Sequence, residues 1–109
     1  MKFTAKKIDL DLELVTLTGE SVDIQYKGSL TSKQAGEYLK KFNAREKEEL
    51  QGLSLSEKAA KIHRLNAENL ADIYPEYSAD WFELNLDPET TQEISVYIGQ
   101  RLAGLKKSE

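Results

Sequence analysis

The stretch YPEYSADWF, Tyr74–Phe82, contains four of the nine aromatic residues of this 109-residue chain, its only tryptophan and one of its two prolines. Pro75 cannot continue a helix, so the stretch predicts the end of one helix and the joint to the next. Asp87-Pro88 follows closely, and it marks a helix start because Asp is a favoured N-cap and Pro fits the first helical position. Since no catalytic pattern occurs elsewhere, we expect binding specificity to lie in surfaces built around Tyr74–Phe82.

Two helices are predicted before this joint. Thr31 and Gln34 are spaced as in a capping box, and apolar residues follow at helical spacing. The pattern breaks at Gln51–Leu53, which contains a glycine. A second capping box begins at Ser54, and the helix after it is expected over Leu55–Tyr74.

A short helical turn and a final helix are predicted after the joint. The turn is expected around Asp80–Leu84, and Gly104 is expected to close the final helix. Gly99 lies within that helix, where glycine costs about 1 kcal/mol relative to alanine, so we expect another helix of this chain or of a second subunit to approach closely there. The apolar stripe of the final helix consists of Ile94, Tyr97, Ile98, Leu102 and Leu105.

The first 28 residues predict a β-hairpin. Apolar residues at positions 8, 10, 12 and 14 alternate with acidic residues, which is the period of a strand with one buried face. The parity changes at Leu14-Val15, and a β-bulge there would keep Val15 and Leu17 on the buried face. Gly19 lies in the turn, and Val22–Tyr26 is the returning strand. Because an isolated hairpin is marginally stable in water, the helices or a partner chain must cover its apolar face.

Together these elements predict one α+β domain over residues 1–109, with the hairpin in 1–28 and three main α-helices plus the short extra helical turn in 31–105. Charged residues make up 31% of the chain and its mean hydropathy is −0.57, and no apolar run approaches the length that crosses a bilayer. The basic N-terminus lacks the apolar stretch of a signal peptide. We therefore expect a cytoplasmic protein without a membrane partner.

Composition argues against several chemistries. The chain has no cysteine, which excludes disulfides, thiol nucleophiles and Cys-ligated metals, and His63 is its only histidine, which excludes a multi-histidine metal site in one chain. The net charge of −4 argues against nucleic acid as the main partner, since phosphate contacts need clustered Lys or Arg. The six glycines form no phosphate-binding loop. We expect no cofactor and no metal.

Three groups of polar residues are nevertheless candidate chemical sites. Acidic residues on one face of the first strand could bind a divalent cation, although the alternation already predicts them as solvent-facing. His63 has no nucleophile or carboxylate motif beside it, so a structural role is expected rather than that of a general base. The acidic residues in these groups are Asp9, Asp11 and Glu13 on the strand and the pair Asp80 and Glu83 beside the tryptophan.

The aromatic residues around the joint allow two interpretations. In the structural interpretation, Trp81 and Phe82 fill the space between two helices. In the functional one, an exposed aromatic groove holds an apolar peptide or helix. The two are compatible because a tyrosine has an apolar ring and a polar hydroxyl. The residues that we expect to contact a partner are Tyr74, Tyr77, Trp81, Phe82, Tyr97 and Leu102.

Four motifs follow one another in the C-terminal half: Ile73-Tyr74-Pro75, Asp80-Trp81-Phe82, Asn85-Leu86-Asp87-Pro88 and the helix Ile94–Leu105. In this order they resemble the small tail assembly chaperones of long-tailed bacteriophages and related prophages. The N-terminal part is similar only in outline, as a short β section followed by a charged helix. The resemblance covers about half of the chain.

The resemblance implies a non-enzymatic chaperone in the cytoplasm of a bacterial host. Such a protein coats the apolar tape-measure protein of the tail, keeps it soluble and helps to recruit tail tube subunits. No catalytic residues and no cofactor are implied. Self-association into a homo-oligomer would cover the client-binding surface when it is empty.

Two other functions are compatible with the residues. An acidic phage-encoded inhibitor or regulator, which binds a host protein by imitating nucleic acid, would need a one-sided acidic surface. That surface would include Asp9, Asp11, Glu13 and Glu20. A small hydrolase or metal-dependent enzyme would instead need His63 to converge with Asp80 or Glu83 in a pocket.

Overall fold

The described residues of the chain form a two-stranded hairpin and four helices. The computed structural model describes residues 1–3, 9–28 and 30–107. The predicted α+β class with an N-terminal hairpin is confirmed, but the expected short turn is a seven-residue helix, so there are four helices rather than three. The elements are β1 Leu12–Val15, β2 Ser21–Ile24, α1 Ser32–Leu50, α2 Leu55–Ile73, α3 Ala79–Asn85 and α4 Pro88–Lys107.

The hairpin has a regular antiparallel register. Leu12 lies opposite Ile24 and Val15 lies opposite Ser21, without an extra residue on either strand. Gly19 takes a φ of 84° in the turn, a conformation that side chains other than glycine rarely adopt. The hairpin predicted in this region is confirmed, with strands shorter than expected. Position 8, assigned to the first strand, lies outside the described residues.

The predicted β-bulge is wrong. The alternation of β1 continues unbroken, so that Thr16 is buried while Val15 and Leu17 are exposed. Thr16 fits the inner position because its polar groups are bonded: its backbone N–H donates to the Glu20 carbonyl at 2.9 Å, and its hydroxyl accepts from the Glu20 N–H at 3.2 Å. Thr16, whose polar groups are hydrogen-bonded within the turn, therefore occupies the buried face that the predicted bulge would have assigned to Val15.

Side-chain caps fix the starts of α1 and α2 where the sequence predicts them. The Thr31 hydroxyl accepts from the Gln34 N–H at 3.2 Å and the Gln34 side chain accepts from the Thr31 N–H at 3.3 Å, which completes the capping box. Ser54 caps α2 by accepting from the Glu57 N–H at 3.3 Å. Between the two helices, Gly52 takes a φ of 75° and permits the break.

The start of α4 is confirmed and its predicted end is wrong. The Asp87 carboxylate accepts from the Thr90 N–H at 3.1 Å. Hydrogen bonds from the side chain and the backbone of Thr90 lower the pKa of Asp87. Gly104 does not close the helix, which continues to Lys107, because Gly104 does not adopt the left-handed conformation of a helix C-cap. The side chain of Leu105 lies outside the described residues.

Gly99 is not a point of helix contact within the chain. A Cβ atom placed on Gly99 would meet no atom within 4 Å among the described residues. The prediction of a close approach by a helix of the same chain is therefore wrong, and only its second arm, an approach by another subunit, stays a prediction.

Tyr74, the C-cap of α2, lies at the centre of the core. Its ring is 6.4 Å from that of Tyr26 on the hairpin side and 6.5 Å from that of Phe82 on α3. Its hydroxyl donates to the backbone carbonyl of Leu10, and burial raises its pKa. One side chain thus joins the hairpin, α2 and α3. The buried apolar residues of this core are Leu10, Leu12, Leu14, Ile24, Ala35, Ala67, Leu70, Ile73, Tyr74, Phe82, Leu86, Ile98 and Leu102.

Ion pairs and hydrogen bonds of basic side chains link α1 to α2. Arg45 of α1 donates to Asn69 at 2.5 Å and to Asp72 at 2.8 Å, and its side chain is only 18% exposed. Lys41, one turn earlier, lies 3.3 Å from the same Asp72 carboxylate. Because this arginine is largely shielded from water, its bonds contribute more than those of an exposed pair. None of the helices in the described part of the chain is long and apolar enough to cross a membrane.

Tyr74→Phe is expected to lower the free energy of unfolding by about 1–3 kcal/mol, because it leaves the buried Leu10 carbonyl without its donor. Urea denaturation followed by circular dichroism measures the change. Tyr77→Phe is the matched control, since the Tyr77 hydroxyl makes no hydrogen bond among the described residues. An equal loss in both variants would contradict a special role for the Tyr74 hydroxyl.

Alkaline pH is expected to unfold the chain as its interior tyrosines ionise. Burial and the neighbouring Tyr38 raise the pKa of Tyr26 to about 12, and burial also raises that of Tyr74. A raised pKa favours the neutral form in the folded state, so stability is complete below the ordinary tyrosine pKa of about 10 and falls as pH rises above it. Absorbance at about 295 nm should show late ionisation of two of the five tyrosines, coincident with loss of helical circular dichroism.

Candidate functional site

The six residues predicted to contact a partner divide into two sets. Tyr74, Phe82 and Leu102 are buried in the core. Tyr77 and Trp81 are half-buried and Tyr97 is exposed, so only these three of the six present side-chain surface to solvent. The structure brings Tyr77 and Trp81 together at the joint. Tyr97 lies on α4, where the Arg101 guanidinium carbon is 5.2 Å from the centre of its ring.

The joint between α2 and α3 serves both as core and as surface. Ser78 caps α3 by accepting from the Trp81 N–H at 3.0 Å, which turns the chain directly after Tyr77. Phe82 then points into the core, while the rings of Tyr77 and Trp81 lie 4.7 Å apart at its edge. The Trp81 ring also meets the ring of Phe82 edge-on at 5.3 Å, so a buried core residue packs against the Tyr77–Trp81 pair.

The exposed apolar surface continues along α3. Leu84 lies three residues after Trp81, so the two side chains are neighbours on the helix surface. Leu84 is 76% exposed, which is high for a leucine in a folded chain. The sequence prediction had assigned no role to it.

The hairpin extends this surface beyond the end of α3. The Leu17 N–H donates to the Asn85 carbonyl at 2.9 Å, which places the turn that follows β1 beside the last turn of α3. Leu17 is 63% exposed and Val15, two residues earlier on the same outer face, is 67% exposed. We name these side chains the apolar band, which runs from the joint along α3 to the adjoining hairpin turn and the outer face of β1; it consists of Tyr77, Trp81, Leu84, Leu17 and Val15.

A cleft of about 300 Å³ lies on the other side of the joint, between the hairpin end and the end of α2. Its walls include Tyr26, Tyr38 and Tyr77 together with Asp72. The Asp72 carboxylate is already engaged by Arg45 and Lys41. The cleft is therefore aromatic, and its central carboxylate is neutralised by two cations.

The carboxylates near the tryptophan have a structural partner. Asp80 and Glu83 both bind the Arg64 guanidinium of α2, Glu83 at 3.0 Å, and Glu68 lies 3.3 Å from the same side chain. This arrangement raises the pKa of Arg64 and ties α3 to α2. His63 is half-buried and its Nε2 has no hydrogen-bond partner in the described part of the chain.

The carboxylates of Asp9, Asp11 and Glu13 do not converge on a common position that a cation could occupy. The Asp11 carboxylate accepts from the Tyr26 N–H at 2.9 Å, which extends the hairpin beyond its last paired residues, and Asp9 accepts from the Asp11 N–H at 2.9 Å. Glu13 lies on the outer face opposite Asp23. Over residues 1–3, 9–28 and 30–107, no three His, Asp or Glu side chains are grouped as a metal site would require.

The apolar band generates a test of surface character. Leu17→Gln combined with Leu84→Gln is expected to leave thermal stability almost unchanged, because exposed side chains contribute little to the core. The double variant should bind less of the dye anilinonaphthalene sulfonate, measured by fluorescence. Leu55→Gln is the matched control, since Leu55 is 88% exposed but lies at the start of α2, outside the band. Equal dye binding by all three proteins would show that the band is no continuous apolar surface.

Comparison of the chain with protein-family models, with curated proteins and with solved structures gives no match.

Proposed function

We propose that this chain is a non-enzymatic chaperone of phage tail assembly, which acts in the cytoplasm of the bacterial host. It binds the apolar tape-measure protein, keeps that client soluble and assists assembly of the tail tube. The observation that supports this proposal is the apolar band, since its leucines and valine are more than half exposed and its Tyr77 and Trp81 rings pack against each other at 4.7 Å. Exposed apolar patches of this kind mark protein-binding surfaces.

The band has the dimensions of a helix-binding surface. Tyr77 to Leu84 spans about 10 Å along α3, and the adjoining hairpin residues bring the total to about 20 Å. A client helix of about 13 residues, or three to four turns, covers the same distance. The band thus suits a long helical client that offers an apolar stripe, as in helix-in-groove recognition.

The strength of such binding is suited to a reversible chaperone. Each fully buried aliphatic side chain contributes about 1.5–3 kcal/mol, and only part of each band side chain remains to be buried. Loss of translational freedom and ordering of side chains offsets much of that gain. The net charge of −4 helps to keep the loaded protein in solution.

A homo-oligomer is part of the proposal, with α4 as the contact. Tyr97 and Val96 are exposed on this helix, and the space beside Gly99 is open. A helix from a second subunit can approach a glycine closely because no Cβ stands in its way. This contact differs from the self-association that the resemblance implies, since it would leave the band free for the client instead of covering it.

An acidic regulator of a host protein is the second candidate function. It is favoured by the outer face of the hairpin, where Glu13 lies directly opposite Asp23 and neither makes an ion pair with another described residue. In that case binding would depend on the carboxylates, and the leucines of the band would be dispensable.

Co-expression with the tape-measure protein of the same genome tests the chaperone proposal. The wild-type chain should keep the client soluble, and size-exclusion chromatography with light scattering should give the stoichiometry of the complex. Leu17→Gln with Leu84→Gln, or Tyr77→Ala with Trp81→Ala, should abolish the rescue while circular dichroism remains native. Leu55→Gln should rescue as the wild type does.

A client that is equally insoluble with and without the chain would refute the chaperone function. Rescue by the double leucine variant would instead show that the band is not the client site.

A further inference from the structure

The negative charge of the chain is concentrated in the hairpin. Residues 9–26 contain five acidic residues and no basic residue. The rest of the chain contains the other 14 acidic residues and all 15 basic ones. The hairpin therefore carries a net charge of −5, and the remainder carries +1.

These charges flank one end of the apolar band. Glu13 precedes Val15 on the same outer face of β1, and Asp23 lies opposite Glu13 on β2. Glu20 is exposed in the hairpin turn, which also contains Leu17. None of these three carboxylates has an ion-pair partner among the described residues. Like charges directly opposite each other weaken a strand pair, so the hairpin carries an uncompensated charge at this place.

The other end of the band is different. Asp80 and Glu83 of α3 are both paired with Arg64, and the nearby Glu76 is paired with Lys27. At the α3 end, the single Arg64 guanidinium offsets only one of the two charges of Asp80 and Glu83, so a net negative charge remains there. At the hairpin end three carboxylates have no ion-pair partner among the described residues, so the hairpin end of the band is the more negative of the two. A partner segment placed on the band therefore experiences a stronger attraction for positive charge at the hairpin end than at the α3 end.

We infer that the apolar band receives an amphipathic segment of a partner protein that carries Lys or Arg at the end lying on the hairpin. The inference rests on the proposed client-binding function and adds the chemistry and direction of the bound segment. A second copy of this chain is a poor occupant, because it would bring a second set of carboxylates to the first. Nucleic acid is repelled for the same reason.

Synthetic helical peptides of about 13 residues provide the probe. Three peptides share one leucine stripe and hold lysine, glutamine or glutamate at their polar positions. Two further peptides hold lysines at the N-terminal end only or at the C-terminal end only. Trp81 is the only tryptophan of the chain and belongs to the band, so its fluorescence reports binding of tryptophan-free peptides. We expect the lysine peptide to bind about tenfold more tightly than the glutamine peptide at low salt, and the advantage to shrink at about 0.5 M salt.

A pair of charge-matched variants separates local attraction from the general effect of net charge. Glu13→Gln with Asp23→Asn removes two negative charges at the band, and Glu46→Gln with Glu48→Gln removes two from the exposed face of α1. We expect only the hairpin variant to lose most of the lysine advantage. It should remain folded, because neutralising two opposed carboxylates relieves repulsion between the strands.

The outcomes separate the inference from the function on which it rests. Equal binding of the lysine and glutamine peptides would overturn the inference and leave an apolar client site intact. Equal losses in the two charge variants would also overturn it, since net charge alone would then explain the preference. Absence of a fluorescence change with every peptide would overturn both the inference and the client-binding function.

The direction of binding has a test of its own. A peptide labelled with a nitroxide at its lysine end should broaden the amide NMR signals of the hairpin more than those of α3, and the reverse pattern would refute the direction of binding.

Discussion

The hydrogen bond from the Tyr74 hydroxyl to the Leu10 carbonyl is the contact on which the arrangement of hairpin and helices depends. It joins residues 64 positions apart, and the ring that carries it also meets Tyr26 and Phe82. A two-stranded hairpin is marginally stable in water, so its apolar face must be covered and held in one orientation. Burial supplies most of the free energy of this packing, whereas the directional bond fixes how the hairpin lies on the helices. The place of the hairpin turn beside α3, and with it the apolar band, follows from that orientation.

Core and surface are formed by the same short segment of chain. Pro75 ends α2 and the Ser78 cap starts α3 three residues later, so consecutive aromatic side chains are turned in different directions. Phe82 enters the core, and Tyr77 and Trp81 remain at its edge. The structural and the functional interpretations of these aromatic residues therefore apply to different members of the cluster. A surface supported by the core in this way is rigid, which lowers the entropic cost of binding.

Local signals predicted the parts of the fold that depend on local physics. The capping residues Thr31, Ser54 and Asp87 and the break at Gly52 act within four residues of chain, and all four were placed correctly. The face of Val15 was misjudged because the burial of Thr16 depends on a bond to its own turn. The leucines of the band were not foreseen, since Leu17 comes beside the last turn of α3 only through its bond to Asn85. Concentration of acidic residues in 9–26 was visible in the sequence, but its relation to the band required the fold.

The opposed pair Glu13 and Asp23 has a consequence for the behaviour of the chain in a crowded cell. A two-stranded sheet has two open edges, each able to add a strand from another molecule and so to begin a fibril. Stacking of hairpins from several copies would line up their carboxylates at the strand spacing of about 4.8 Å, where repulsion opposes every addition. The Leu17 N–H at one end of the hairpin already donates to the Asn85 carbonyl, so it is not free to pair with an added strand. The repulsion that weakens the single hairpin thus acts as a gatekeeper against amyloid, and allows aliphatic side chains to stay exposed beside it.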